Sequence, residues 1–206
     1  MLIELVQRPT LLEAVRQEVL TTVTSTSAPG EPAAPQFDLS KLTALPLFSS
    51  LWLETLRFYV SSVPFRKLLS TLEVGGYQLE AGKTILAPTT LAHNEASFWT
   101  QSGHSPDEFW PERFIGKDDK ELAGHFLPFG GGSTICPGRF FARQEVLLAV
   151  AMMVTRFEFE LVGFVEKTGE QRYGKPEPDV KGAGGGAMQA DGDCLVRMRR
   201  RREKSF

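Results

Sequence analysis

A chain of 206 residues with 42% hydrophobic content can bury a core and reads as one domain or part of a larger one, so wholesale disorder is excluded. Its 23 basic and 25 acidic residues leave a formal charge of −2, which gives no basis for nucleic acid as the main partner. Two cysteines in dissimilar settings, Cys136 and Cys194, exclude a disulfide framework and are both expected reduced.

Residues 1–6 form a short, mostly apolar run that reads as the tail of a longer element. Charge appears there too early for a signal peptide, and the longest apolar run, 146–154, is too short to span a bilayer, so no membrane anchor is expected. Thr10-Leu11-Leu12-Glu13 has the form of a capping box, and Leu12, Val15, Val19 and Leu20 follow at helical spacing, predicting a helix over residues 10–22. Residues 24–36, rich in Ser, Thr, Pro and Ala, read as a loop. Pro46 suits a first helical turn, and Phe48, Leu51, Trp52, Leu56 and Tyr59 line one face of a helix that Pro64 is expected to close.

Short strands are expected at 70–74 and 77–79 around Gly75-Gly76, then at 84–87, with one helical turn at 89–93. Residues 109–128 read as a long irregular segment, which in a compact domain is usually functional. A helix follows over 138–156, apolar nearly all round and therefore expected to be deeply buried. Strands are expected at 157–162 and 194–198, with a flexible tip at 182–186 between them. The basic run 197–202 reads as part of a solvated tail, assigned to 199–206.

The chemistry concentrates in residues 126–145, F-L-P-F-G-G-G-S-T-I-C-P-G-R-F-F-A-R-Q-E. This pattern sets one sulfur at a helix N-terminus, where backbone N–H groups favour a thiolate. A phosphatase-type nucleophile would need Arg at the sixth position after the cysteine, but that residue is Ala142 and Arg143 comes one place late. No Lys-Ser/Thr follows the glycines, so a Walker-type loop is excluded as well. A structural zinc site would need further ligands at short spacing, and neither Cys194 nor the histidines supply them. Axial ligation of haem iron fits: glycines let backbone pass close to a flat macrocycle, Phe129 can shield the sulfur, and amides can tune it. An inert buried cysteine stays open beside it.

F-G-G-G-S-T-I-C-P-G-R-F-F-A resembles the cysteine-loop signature of cytochrome P-450, the haem-thiolate monooxygenases. E-T-L-R, with Glu54 and Arg57, is similar to that family's Glu-x-x-Arg on its K helix, and P-E-R-F, with Arg113, resembles its third motif. Order and approximate spacing agree from residue 9 onward. The resemblance implies a mainly α fold with small β-sheets (α+β). It would be the C-terminal part of the P-450 fold over residues 1–206, carrying the J, K, K′ and L helices, the meander and the Cys loop. It implies haem b (iron protoporphyrin IX) ligated by Cys136, with Phe129, Gly130, Gly132, Thr134, Gly138 and Arg66 around it. Glu54, Arg57 and Arg113 would form one carboxylate between two guanidiniums, holding the irregular segment and the loop. Val63 and Pro64, with a tip that includes Gly185 and Ala187, fall where the family touches substrate. The implied partners are a hydrophobic small-molecule substrate, O2 and an NADPH-dependent reductase, with no nucleic acid. Full-length relatives are usually bound to the endoplasmic-reticulum membrane.

This sequence departs from the family pattern in two ways. Most members carry Arg or His where Thr134 stands, contacting a haem propionate; the T-I-C-P-G-R form resembles the sterol 7α-hydroxylase branch and related fungal enzymes. Arg66 matches a position that often meets the propionate, while His125 reads as a bland loop residue and His93 and His104 as uninvolved. The I-helix groove that delivers protons to bound oxygen has no counterpart here. The expectation is therefore a haem-binding part with little turnover by itself, acting on a sterol- or secondary-metabolite-like substrate, the alternative being a catalytically inactive remnant or gene fragment.

Overall fold

The computed structural model describes residues 1–26, 35–101, 103–179, 181 and 183–201. In chain order the helices are α1 (Leu2–Val6), α2 (Pro9–Leu20), α3 (Leu39–Leu42), α4 (Pro46–Tyr59), α5 (Thr89–His93), α6 (Ala96–Trp99), α7 (Asp119–Leu122) and α8 (Arg139–Arg156). The strands are β1 (Val23–Thr26), β2 (Pro35–Phe37), β3 (Val60–Ser62), β4 (Phe65–Lys67), β5 (Leu72–Val74), β6 (Tyr77–Leu79), β7 (Thr84–Leu86), β8 (Phe157–Glu166), β9 (Gln171–Arg172), β10 (Gly185–Ala187) and β11 (Gly192–Arg200). The strands form small antiparallel sheets, β1–β2, β3–β10, β4–β7, β5–β6 and a three-stranded β11–β8–β9. A mainly helical body with small sheets is the expected class.

The core lies where α2, α4 and α8 meet. Leu12, Val15 and Val19 of α2 pack with Phe48, Leu51 and Leu56 of α4 and with Leu147, Val150, Ala151 and Val154 of α8. A second cluster joins Trp99 to Phe114 and Leu122 of the irregular segment. Polar ties fix the helices in register. Both Glu18 carboxylate oxygens accept from the first turn of α4, Leu47 N at 3.1 Å and Phe48 N at 2.9 Å, capping a helix whose N-terminal N–H groups have no partner of their own. Arg16, buried, donates to the Val154 carbonyl at 2.8 Å and so joins α2 to the end of α8.

Several sequence expectations need correction. The Thr10–Glu13 capping box does not form: Pro9 takes the first helical position, moving the cap to Arg8 and Thr10 into the first turn. Glu13 turns instead to Arg16 and Gln17. Helix α4 ends at Tyr59, well before Pro64, because Val60 leaves the helix to pair with Ala187 of β10. Helix α8 is buried along one stripe and not all round; Phe140 and Phe141 are 65% and 68% exposed, since its first turns extend beyond the core. The assigned loop at 24–36 contains most of β1 and the start of β2, and its residues 27–34 lie outside the described ones. The irregular segment holds one turn of helix, α7, closed by a capping box between Asp118 and Glu121.

The sheet at the C-terminal end is longer than its hydrophobic runs. Strand β8 reaches Glu166 and β11 reaches Arg200, so Arg199 and Arg200 belong to a sheet and not to a tail; residues 202–206 lie outside the described ones. Arg197 pairs with Glu160 at 2.7 Å and Arg201 with Glu158 at 2.9 Å, and this cross-strand charge matching keeps a basic strand in register. In the expected tip at 182–186, Gly182 lies outside the described residues and Gly185 opens β10. Among the described residues no helix is long and apolar enough to cross a membrane.

Candidate functional site

Glu54 and Arg57 stand one turn apart on the inner face of α4, both with fully buried side chains. Arg57 grips the carboxylate with two parallel bonds, Nε to Oε2 at 2.8 Å and Nη2 to Oε1 at 2.9 Å. Arg113 adds Nε to Oε1 at 3.1 Å, and the Trp110 amide donates to the same oxygen at 2.9 Å. The remaining guanidinium donors go to backbone carbonyls, Arg57 to His93 and Arg113 to Trp99, Ser105 and Glu108. A buried charge cluster persists only when its donors and acceptors are satisfied in this way. Burial pushes the Arg113 guanidinium below its ordinary range while Glu54 pulls it back, and arginine stays charged at neutral pH. The expected triad of Glu54, Arg57 and Arg113 is therefore one unit that fixes the irregular segment to α4. The Phe114 amide, donating to Ser50 Oγ at 3.0 Å, adds a further tie that the sequence did not reveal.

From that segment the chain runs into the cysteine loop. Its head is held by His93, whose Nε2 accepts from the Leu127 amide at 2.9 Å. The loop closes on itself through Gly130 N to Leu127 O at 3.1 Å and Cys136 N to Phe129 O at 3.0 Å. Gly130 and Gly132 take φ values of 74° and 65°, which side chains other than glycine rarely adopt, and this turns the backbone back beneath Cys136. Past the cysteine, Arg139 donates to the Cys136 carbonyl at 3.0 Å, and Arg143 anchors α8 to the Thr43 carbonyl at 2.6 Å.

Cys136 lines a cavity of about 520 Å³. On the loop side the walls are Phe129, Gly130, Gly131 and Thr134; on the far side they are Val63, Pro64, Gly184, Gly186 and Ala187, with Arg66 at the rim. Gly132, Gly138 and Gly185 are outside this lining: Gly132 opens a single turn of the loop, Gly138 caps α8 with its Cα facing the Cys136 sulfur, and Gly185 opens β10. Arg66 donates to the Thr134 hydroxyl, so the two residues expected at the cofactor's charged edge do meet. Cys136 is exposed and lines the cavity together with Phe129, unlike an inert cysteine buried in a core. Cys194, by contrast, lies in β11, where partial burial raises its thiol pKa.

Among the histidines only His93 departs from expectation. His125 stacks on Phe98 with ring centroids 3.8 Å apart and meets Glu95 at 3.0 Å, and His104 stacks on Trp110, so neither approaches the cavity. His93 is fully buried; burial, helped by the Arg57 guanidinium, pushes its imidazole down to about 4. No group of three His, Cys, Asp or Glu side chains converges among the described residues, leaving the Cys136 sulfur as the soft donor at the cavity.

The family model for cytochrome P450 matches residues 1–176. A cytochrome P450 monooxygenase of Penicillium decumbens, calL, is 36% identical over 206 residues, covering 97% of this chain and 38% of that protein. Another of Hormonema carpetanum, efuG, is 27% identical over 231 residues, covering 97% of this chain and 39% of its own length. Cytochrome P450 734A5 of rice, Oryza sativa subsp. japonica, is 32% identical over 163 residues, covering 77% of this chain and 28% of its own. The chain thus spans about two fifths or less of the length of these curated relatives. With the motif triad, the cysteine loop and a match over most of its length, the chain belongs to the cytochrome P450 family.

Proposed function

We propose that this chain is the haem-binding part of a monooxygenase that inserts one atom of O2 into a hydrophobic substrate. One observation carries the reading: the Cys136 thiol opens into a largely apolar cavity that Arg66 and Thr134 border with polar groups. A lone sulfur donor, glycine backbone able to lie against a flat ring, and a cation at the rim for a carboxylate make a donor set that fits iron protoporphyrin IX. In that assignment Cys136 Sγ would ligate the iron, Phe129, Gly130, Gly132 and Gly138 would shape its surroundings, and Arg66 with Thr134 would meet a carboxylate of the cofactor. The chemistry supplied by the bound cofactor is reductive activation of O2, with thiolate donation favouring O–O cleavage.

The chain's own residues position and select. The Glu54–Arg57–Arg113 unit holds the loop that presents the sulfur. Val63 and Pro64, with Gly184, Gly186 and Ala187 beside them, form an apolar wall against which a substrate rests, the glycines contributing backbone of low bulk. The absence of charged side chains on that wall favours a sterol- or secondary-metabolite-like molecule over a polar one. Electrons come from an NADPH-dependent reductase. The test is turnover by the whole enzyme of which this chain is the proposed haem-binding part, with such a reductase under isotopically labelled O2: one labelled oxygen atom per product molecule is expected, whereas product oxygen drawn from water would overturn the assignment.

A further inference from the structure

His93 is a buried titratable group that the function above leaves unused. Its surroundings are apolar on one side: the Phe126 ring lies 5.6 Å away, and the neighbouring Ala92 carbonyl is taken by the Trp99 indole at 2.7 Å. Its Nδ1 is buried without a well-formed hydrogen bond among the described residues, and the backbone of Arg57 and Val60 lies within its reach. A side chain that only filled this space would be more stable as an aromatic hydrocarbon, because an unpaired buried polar group is costly. What offsets that cost is Nε2, which accepts the Leu127 amide at 2.9 Å. An accepting Nε2 fixes the tautomer with the proton on Nδ1. The backbone of the same residue accepts Arg57 Nη1 at 2.9 Å, so His93 touches the buried charge network with its carbonyl and the cysteine loop with its ring.

We infer that His93 is a positioning residue for the cysteine loop: its unprotonated Nε2 couples the Glu54–Arg57–Arg113 unit to the segment that presents Cys136. The inference rests on the haem-thiolate reading of that segment. The coupling is a continuous series of contacts. Arg57 is gripped by Glu54 and donates to His93 O; His93 Nε2 accepts from Leu127 N; Leu127 O accepts from Gly130 N; and Phe129 O accepts from Cys136 N. Removing the acceptor leaves the Leu127 N–H without a partner and frees the loop at its head, while the ion network remains intact. An imidazolium at this position would turn acceptor into donor and face the Arg57 guanidinium, so the neutral ring is the form that holds the loop.

The test compares His93→Phe, which keeps the volume and removes the acceptor, with His93→Gln, which keeps an acceptor oxygen. In the wild-type chain the imidazole nitrogen spectrum should show Nε2 unprotonated at neutral pH; a protonated Nε2 overturns the inference irrespective of any variant. Amide exchange at Leu127 should rise at least about tenfold in His93→Phe and stay within about twofold of wild type in His93→Gln. The share of reduced, CO-bound protein with the red-shifted thiolate-type band should fall in the first variant and be retained in the second. Equal behaviour of the two variants, in exchange or in spectrum, would sink the proposal. If wild type shows no thiolate-type band, the haem-thiolate reading fails, while the exchange and nitrogen measurements still decide the role of His93.

Discussion

Arg66 of β4 donates a hydrogen bond to the Thr134 hydroxyl of the cysteine loop, joining positions 68 residues apart in the chain. The contact aims a guanidinium along the rim of the cavity in which Cys136 lies. A cation there matters because Thr134 carries no charge of its own. Arg66→Ala is expected to weaken haem binding by roughly tenfold, the effect of losing one charge-assisted hydrogen bond worth about 1.5 kcal/mol. Thr134→Val, which loses only the orienting contact, should weaken it less. Haem titration followed by the Soret band measures both.

Glu54 is the carboxylate paired with both buried guanidiniums, so its replacement leaves charge without compensation. Glu54→Gln should destabilise the fold by about 3–5 kcal/mol. Arg113→Lys should cost nearly as much, since an ammonium cannot reach Glu54 and the Trp99, Ser105 and Glu108 carbonyls at once. Denaturant unfolding of the variants gives the difference directly; a loss below about 1 kcal/mol for Glu54→Gln would show that the unit is not a buried ion network.

The depressed His93 imidazole makes stability depend on pH. Its ordinary value of 6.5 falls to about 4 in the folded chain, first through burial and second through Arg57. Between those values the unfolded chain binds a proton that the folded chain refuses, so stability is full above about pH 6.5 and declines as pH falls towards 4. The loss is on the order of 3 kcal/mol. His93→Gln should flatten this part of the profile, measured as unfolding midpoint against pH; an unchanged slope contradicts the shift.

Gly184 has φ of +101°, and a Cβ there would stand 3.2 Å from Val63 Cγ2 across the cavity wall. Gly184→Ala should therefore cost roughly 1–3 kcal/mol through backbone strain. It should also narrow the apolar wall, raising KM for a bulky hydrophobic substrate more than for a slender one. Thermal unfolding and a comparison of two substrates of different width check the two parts separately.

Much of the site was legible because the residue types that carry it have few other uses. A lone Cys136 after F-G-G-G, a Glu54–Arg57 pair one turn apart and Arg113 within P-E-R-F each have chemistry that narrows their partners. The long helices α2, α4 and α8 were legible through the 3.6-residue period, apart from their ends, whereas the single turns α3, α6 and α7 are too short to show one. Those ends depend on competition that a local pattern does not contain: Pro9 against the Thr10 cap, and the pairing of Val60 with Ala187 against one more turn of α4. The contributions of His93, Glu18 and Ser50 were hidden for a similar reason. Each acts on a backbone N–H far along the chain, and backbone groups carry no sequence signature. Arg199 and Arg200 read as a tail because charge suggests solvent, yet in β11 a strand can pair through its backbone while its side chains stay wet.

The central claim is that Cys136 supplies the iron's thiolate ligand. The most direct measurement is the spectrum of the reduced, CO-bound chain after haem loading, for wild type and for Cys136→Ala. A red-shifted, thiolate-type Soret band in the wild type that disappears in Cys136→Ala is the predicted result. The same band surviving in Cys136→Ala, or a haem-loaded wild type that never shows it, would contradict the assignment.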